Sequence, residues 1–211
     1  MRKNRVGIRI ILTLLWMAIT APLQLSAAQP SAQSSLDRMV AAMKKHPSME
    51  ITFTVWNNGN SSSGSMSVAG RNFHLSTPEM KVWYDGKTQW SYAPSAGEVN
   101  VTEPTSEELA QTNPLSILSN LNKNFTCRRL KAPAGLEKIE LIPRRKNADM
   151  ASVILTLKTS TSLPQEIAVK DAKGVVATVK ISSITGGKTK PAGSFRFNQA
   201  AYPGVDVVDL R

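Results

Sequence analysis

The side chains that most often carry chemistry in proteins are few in this sequence, and they stand far apart. Its two histidines are His46 and His74, and its single cysteine is Cys127. Neither histidine lies within a metal-ligand spacing of another histidine or of a cysteine, so we expect no protein-bound transition metal. With one cysteine, an intrachain disulfide is impossible, and Cys127 fits a buried position on an alternating strand.

Motifs for catalysis are also missing. The sequence contains no Gly-x-Ser-x-Gly elbow, no phosphate-binding glycine-rich loop and no aspartate-rich calcium loop. The carboxylate pairs Glu107–Glu108 and Glu137–Glu140 are of the kind that surface helices and strand edges produce. We therefore expect a binding protein, not an enzyme, without a cofactor. An extracytoplasmic hydrolase on a β scaffold is the enzyme class left open.

Residues 1–28 have the composition of an export signal. A basic start is followed by the apolar run Ile10–Leu25 and by small residues that end at Ala28. We expect cleavage near Ala28 and release of residues 29–211 as one soluble domain, which is long enough to bury a full core. A retained membrane anchor is the alternative.

The charge of the chain is moderately basic. Removing the four basic residues of the export signal lowers the net charge from +11 to +7. Such a surplus is typical of a solvated surface and would also suit anionic lipid or acidic partners. No basic run alternates with aromatic residues, so we expect no nucleic-acid partner.

The periodicity of the mature chain predicts one helix followed by many strands. A helix capped at Ser34 or Ser35 and running to about Lys45 would place Met39 and Met43 on its apolar face. The predicted strands are Met49–Trp56, Ser65–Ala69, Arg71–Ser76, Met80–Tyr84, Lys87–Tyr92, Glu98–Thr102, Phe125–Leu130, Leu136–Ile142, Met150–Lys158, Gln165–Lys170, Val175–Ile184 and Ser194–Phe197. This pattern indicates an α+β fold with a strongly curved, meandering antiparallel sheet.

One hairpin fixes a local register. Asp85-Gly86 is a two-residue turn of the type that tolerates positive φ, and it would oppose Trp83 to Thr88. Because opposed residues share a face of the sheet, Trp90 would lie on the same aromatic face as Trp83. Further along, Asn113-Pro114-Leu115 opens a short apolar helix.

The central stretch resembles a known family. The segment Asp85–Pro94, DGKTQWSYAP, is followed some twenty residues later by Asn113-Pro114 and an apolar helical turn, as in the periplasmic outer-membrane lipoprotein carriers, LolA and its relatives. The ending from Phe195 to Val205 is similar to the C-terminus of that family. The resemblance implies an incomplete, half-open β-barrel with covering helices over a hydrophobic cavity.

The same resemblance implies roles for individual residues. Leu115, Ile117 and Leu118 would form a lid helix, and Arg71 falls near the basic residue that holds the lid closed. Methionines suit a pocket that repacks around variable acyl chains, although they also fill ordinary cores. The residues expected to line the acyl cavity are Met39, Met43, Phe53, Phe73, Leu75, Trp90, Leu115, Ile117 and Leu118.

The function implied is that of a periplasmic, monomeric chaperone that carries acylated lipoproteins to the outer membrane. Its expected partners are an inner-membrane releasing transporter and an outer-membrane acceptor. The alternative is a module of the same fold that senses lipoproteins or binds another lipid.

Overall fold

The computed structural model describes residues 31–105, 108–109, 124–145 and 150–211. The predicted export signal, 1–28, lies outside these ranges, as do Leu115, Ile117 and Leu118. Within them the chain forms one complete α-helix, α1 (Ala32–Met43), and twelve strands. The strands are β1 (Ser48–Asn57), β2 (Asn60–Ala69), β3 (Asn72–Ser76), β4 (Lys81–Tyr84), β5 (Gln89–Ala93), β6 (Glu98–Thr102), β7 (Phe125–Leu130), β8 (Leu136–Pro143), β9 (Met150–Lys158), β10 (Pro164–Asp171), β11 (Val176–Gly187) and β12 (Asp206–Asp209).

Helix α1 begins earlier than predicted but buries the predicted face. Its N-cap is Ser31, whose hydroxyl accepts a 3.1 Å hydrogen bond from the amide of Ser34. The amides of the first helical turn have no acceptor within the helix, and this hydroxyl supplies one. Leu36 and Met39 are fully buried, so the apolar stripe read from the sequence is the one that packs on the sheet.

All twelve strands form one sheet, in the order β12-β6-β5-β4-β3-β2-β1-β11-β10-β9-β8-β7. The seam at its centre is the antiparallel pair of β1 and β11, which joins the two halves of the chain. Within the described residues the two end strands, β7 and β12, do not pair, so the curved sheet stays open. The prediction of an α+β fold with a large, mostly antiparallel sheet is confirmed at this level.

The hairpin of β4 and β5 differs in register from the prediction. Trp83 faces Trp90 and not Thr88, because the turn is centred one residue later. The cause is Asp85, whose Oδ1 accepts from the amide of Thr88 at 2.9 Å in place of a main-chain carbonyl. Gly86, with a φ of 96°, then occupies the first central position. Moving the turn by one residue changes the partner of each strand residue by two positions, so each side chain stays on its predicted face.

The strands differ from the prediction in three other places. The Asn/Ser-rich stretch after β1 is mostly strand, because Asn58 and Gly59, both with positive φ, already close the turn. Ser194–Phe197 is not a strand, since a short 3-10 helix covers Ala192–Phe195. The last strand, β12, was not predicted, and it pairs in parallel with β6.

The core lies on one face of the sheet, here called the inner face, in two clusters. The first inner cluster packs α1 on the β8–β10 half and buries Ala32, Leu36, Met39, Ile139, Leu141, Val153, Leu155, Leu157 and Ile167. The second inner cluster covers β1–β4 and buries Met49, Ile51, Phe53, Met66, Phe73, Leu75, Val82 and Tyr84. The registers of the intervening strands place both clusters on the same side of the sheet.

Candidate functional site

The inner face of β1–β4 is mostly apolar and carries no charged side chain from these strands, although the Ser62 hydroxyl donates to the Glu79 carboxylate at 2.7 Å. Alternation along each strand, combined with the cross-strand registers, determines which side chains point to this face. They are Met49, Ile51, Phe53, Val55, Ser62, Gly64, Met66, Val68, Phe73, Leu75, Val82 and Tyr84. The one phenol among them, that of Tyr84, donates to the carbonyl of Gly86 at 2.9 Å. Such a surface suits hydrocarbon and offers nothing to an ionic ligand.

The methionines concentrate on the inner face. Met43, at the end of α1, is half-buried and packs against both inner clusters. All six methionines that follow residue 28 belong to these clusters or pack against them: Met39, Met43, Met49, Met66, Met80 and Met150. Because the methionine side chain is unbranched and polarizable, it adapts to contents of different shape.

The ring of Phe53 and the main chain at Gly64 approach each other closely on the inner face. Phe53 lies opposite Gly64 in the β1–β2 pair. A Cβ atom on residue 64 would stand 2.8 Å from Cζ of Phe53 and 2.7 Å from the carbonyl oxygen of Ser76. The absence of a side chain at Gly64 therefore lets the Phe53 ring lie flat along the sheet.

Most of the described residues predicted to line a cavity come together on the inner face. Phe53, Phe73 and Leu75 are buried in the second inner cluster. Met39 is buried in the first, and Met43 lies between the two. Ligand binding by these five residues stays a prediction, but they share one apolar surface.

Trp90 does not belong to this group. It is paired with Trp83, and both indoles lie on the outer face, opposite the side that carries Leu75 and Phe73. The assignment of Trp90 to the same cavity as Phe73 was therefore wrong. The error came from treating the aromatic residues of the hairpin as ligand contacts, when the outer face has a covering of its own.

The predicted lid residues, Leu115, Ile117 and Leu118, lie outside the described residues. The chain leading toward them begins a helical turn at Thr105, where the Glu108 carboxylate accepts from the Thr105 amide at 2.8 Å. The Glu108 amide in turn donates to the Thr105 hydroxyl, which completes a capping box. Leu109, one residue on, packs against the second inner cluster.

The predicted latch, Arg71, lies in the turn between β2 and β3 and not in a strand. It follows Gly70, whose φ is 60°, and its side chain is exposed. Its guanidinium forms no hydrogen bond or ion pair with the described residues. The interpretation of Arg71 as part of a cavity wall was wrong, and its latch role stays a prediction.

Part of the outer face of β1–β5 is covered by the segment between β11 and β12, here called the C-terminal strap (residues 188–205). Rings of the strap pack on the hairpin: Phe197 lies 5.4 Å from Trp83, and Tyr202 lies 5.7 Å from Trp83 and 5.1 Å from Tyr92, between ring centroids. The Lys81 ammonium donates to the Tyr202 hydroxyl at 3.2 Å. These contacts fix the strap across the sheet.

A second set of strap contacts is polar. Lys190 lies 2.5 Å from a carboxylate oxygen of Glu50 on β1 and donates to the Ser67 hydroxyl on β2 at 2.9 Å. Burial acts to raise the pKa of Glu50, but the hydrogen bonds from Lys190 and Ser67 outweigh burial and lower it. Arg196 forms a similar pair with Asp85 at 2.9 Å. The strap is therefore held by charge as well as by aromatic packing.

His74 lies beneath the strap. Its ring stacks on Trp83, with the centroids 5.0 Å apart and the planes at 17°. Burial lowers the pKa of His74, and the nearby ammonium groups of Lys81 and Lys190 lower it further. Among the described residues, Nε2 of His74 has no hydrogen-bond partner, which favours the neutral ring.

Two features are absent from the described part of the chain, a metal-binding cluster and a membrane-spanning helix. No group of three or more histidine, cysteine, aspartate or glutamate side chains there is arranged to hold a metal ion. In the same residues, no helix is long and apolar enough to cross a membrane.

The sequence itself matches a family model over residues 25–173, and that family is described as the outer membrane lipoprotein carrier protein LolA. The match covers more than half of the chain. The chain belongs to the LolA family. The family description names lipoprotein carriers.

Individual proteins are also similar to this chain in sequence or in fold. An outer-membrane lipoprotein carrier protein of Methylibium petroleiphilum is 29% identical over 154 residues, which is 70% of this chain and 73% of the relative. A conserved protein of Thermus thermophilus has a similar fold, with a TM-score of 0.56 over 84% of this chain and 98% of its own, at 15% identity. A LolA superfamily protein of Nitrosomonas europaea is 14% identical and covers 80% of this chain and 98% of its own, with a TM-score of 0.46.

Several residues of the LolA-type inner face were missed by the sequence analysis. Met49, Ile51 and Met66 are buried in the second inner cluster beside Phe53. The alternation of β1 would have found the first two, since they share the parity of Phe53. Assigning Met66 to the inner face requires the register between β1 and β2, and no local sequence pattern gives that register.

Proposed function

We propose that this LolA-family protein is a periplasmic carrier that binds the acyl chains of lipoproteins against its inner face. The observation that carries the proposal is the uncharged inner surface of β1–β4, lined by methionine, phenylalanine and aliphatic side chains. An acyl chain has no hydrogen-bonding groups along its length, and it suits a surface whose two hydroxyls, those of Ser62 and Tyr84, already have partners.

A carrier must also release its cargo. Each methylene group buried away from water contributes about 0.8 kcal/mol, so full enclosure of several acyl chains would hold them too tightly for transfer. A surface that closes on itself when empty offsets part of this energy. The adaptable side chains of Met43 and Met66, which lie at the junction and in the middle of the inner face, suit such closure.

The cavity and its cover belong to this proposal. Leu115, Ile117 and Leu118 would close the inner face as a lid, continuing from Leu109, which already packs on the second inner cluster. The proposed acyl contacts are therefore Met39, Met43, Phe53, Phe73 and Leu75 together with the three lid residues. Trp90 is left out.

The cellular setting is part of the same proposal. Residues 1–28 would direct export and be removed near Ala28, and residues 29–211 would act as a monomeric single domain in the periplasm. A transporter in the inner membrane would supply the lipoprotein, and an acceptor at the outer membrane would take it. Mass spectrometry of the periplasmic fraction should find a mature N-terminus near Gln29.

Methionine methyl groups provide a direct test of the binding surface. We suggest labelling the mature protein with 13C-methyl methionine and titrating it with a synthetic triacylated lipopeptide. The resonances of Met43, Met49 and Met66 should shift, because their methyl groups lie on the surface proposed to contact the acyl chains. A peptide of the same sequence without acyl chains is the control and should shift none of them.

The bound lipid distinguishes the carrier from its alternative. Protein purified from cells should yield acylated peptide on extraction with organic solvent. Free lipid in the extract would favour a lipid-binding sensor of the same fold. No methionine shift with the lipopeptide, and no lipid in the extract, would contradict both.

A further inference from the structure

The exposed apolar side chains of the molecule are not scattered. Among the described residues, six large hydrophobic side chains are exposed, and four of them, Trp56, Ile142, Val175 and Val176, lie at one end of the sheet. The other two, Val207 and Leu210, lie in β12 and just after it. An apolar group of this kind on a folded surface commonly marks an interaction site.

The strand registers place Trp56 next to Val176 and place Ile142 on the same face, three strands away from Val176. Trp56 faces Thr178 on β11, two positions from Val176, which makes Trp56 and Val176 diagonal neighbours on the outer face. Val176 faces Lys170 on β10. Ile142, at the end of β8, follows the inward-facing Leu141 and so points to the outer face as well.

Basic residues surround this end of the sheet. Lys170 and Lys180 stand on the same outer face, and the Lys180 ammonium lies 5.0 Å from the centre of the Trp56 ring. Lys173, in the turn between β10 and β11, is also exposed. Two more basic side chains, Arg144 and Arg145, are exposed directly after β8.

Two described carboxylates at this end of the sheet are engaged locally. Glu166 faces Lys180 across the β10–β11 pair. Asp171 accepts hydrogen bonds from the amides of Lys173 and Val175, at 2.9 Å and 2.8 Å. These bonds also hold the turn in one conformation. Binding through Val175 and Val176 therefore costs less conformational entropy than binding through a mobile loop would.

We propose that this end of the sheet, the basic-apolar end, docks the protein on the surface of an anionic bilayer. Tryptophan and valine side chains can enter the boundary between headgroups and acyl chains, while lysine stems reach along it and place their ammonium groups among lipid phosphates. Trp56, Ile142 and Val176 point to the outer face, so docking through these side chains leaves the inner face free. The inference therefore stands apart from acyl binding.

The charges argue against a second copy of this chain as the occupant. In a two-fold interface through this end, Lys170 and Lys173 of one copy would lie close to the same residues of the other. Like charges brought together in this way oppose association. An anionic lipid surface has the complementary charge.

Vesicle binding tests the proposal. The mature protein should bind vesicles that contain about one third phosphatidylglycerol more tightly than vesicles of phosphatidylcholine alone. Binding should shift tryptophan emission to shorter wavelength, and this shift should disappear in Trp56→Phe. The double variant Val175→Thr/Val176→Thr keeps the branched shape and should bind anionic vesicles about tenfold more weakly.

Matched substitutions elsewhere serve as controls. Val207→Thr, at another exposed valine, should bind as the wild type does. Lys173→Gln should weaken binding to anionic vesicles about fivefold, whereas Lys158→Gln, at the opposite end of β9 from the basic-apolar end, should not. Equal binding to neutral and anionic vesicles, no binding to either, or self-association that the valine variants abolish would each overturn the proposal, even where acyl binding on the inner face persists.

Discussion

Phe53 and Gly64 face each other across β1 and β2, and the phenyl ring occupies the space that a side chain at residue 64 would need. The contact involves main chain as well as side chain, because the carbonyl of Ser76 approaches from β3. The geometry of the inner face at this point therefore depends on one glycine.

Substituting Gly64 with alanine should destabilise the protein. The new methyl group would stand 2.7 Å from the Ser76 carbonyl oxygen, which the sheet holds in place, and 2.8 Å from the Phe53 ring. We expect the free energy of unfolding to fall by about 1–3 kcal/mol, as for other overpacked sites. Denaturant unfolding measures it. Gly193→Ala, where no heavy atom lies within 4 Å of the new Cβ, is the control, and an equal loss in both variants would contradict the argument.

His74 should make stability depend on pH under mildly acidic conditions. Its pKa is lowered from the ordinary value of 6.5 in the folded protein, so the unfolded chain binds the proton more readily. The free energy of unfolding is therefore unaffected by this group above that value and decreases as the pH falls below it. The charged groups that face the ring are Lys81, Lys190 and Glu50.

The variant His74→Phe retains a ring that can stack on Trp83 but cannot be protonated. Urea unfolding between pH 7 and about 5, above the range in which carboxylates titrate, should show a smaller pH dependence in this variant than in the wild type. A slope that is unchanged in His74→Phe would show that another group is responsible.

Tyr202 should be a stabilising anchor of the C-terminal strap without a part in ligand binding. Tyr202→Ala removes ring contacts with Trp83, Tyr92 and Phe197. We expect unfolding to become easier by about 1–3 kcal/mol. Lipopeptide affinity, measured at a temperature where both proteins are folded, should be unchanged because the strap lies on the outer face. A loss of affinity without a loss of stability would place the binding surface elsewhere.

Leu118→Asp should weaken lipid binding far more than folding. A carboxylate that faces an acyl chain must lose its hydration as the lipid enters, which costs several kcal/mol unless a partner is found. In the empty protein a lid that swings outward can leave the charge in water. Lipopeptide titration and thermal unfolding on the same sample compare the two effects. Wholesale unfolding would mean that Leu118 is an ordinary core residue.

Arg71→Leu should slow the release of cargo. The guanidinium has five donors, and none of them bonds to a described residue, so they are available to the carbonyl groups of a lid. Losing those bonds would favour the open state by about 1–3 kcal/mol and leave less driving force for expulsion. The measurement is transfer of one acylated protein to acceptor membranes. Equal rates at equal stability would identify Arg71 as a surface charge.

The sequence predicted best where a feature is local. The apolar stripe of α1 and the alternation of β9 need only neighbouring residues, and both are as predicted. The turn after β4 was misplaced because a side chain, that of Asp85, competes with the main chain for amide protons. Turn propensity alone does not show whether the side chain or the main chain accepts these hydrogen bonds.

Features that join distant parts of the chain were not predictable in this way. β12 is short and pairs in parallel with β6, about a hundred residues earlier, so nothing near it in the sequence announces a strand. Trp90 was assigned to the wrong surface for a related reason. The strap that packs on the same outer face, at Trp83 and Tyr92, comes from the far end of the chain, and aromatic composition does not reveal which face is already occupied.

The seam of β1 and β11 has a consequence for the order of folding. Thr52 and Ser183, which share a hydrogen bond across it, are 131 positions apart. Contacts of such long sequence separation form slowly, since a large loop must close first. During synthesis, which starts at the N-terminus, the chain cannot form the central pair of β1 and β11 until nearly all of its residues have been made. This topology postpones closure of the centre of the sheet until β11 has been synthesised.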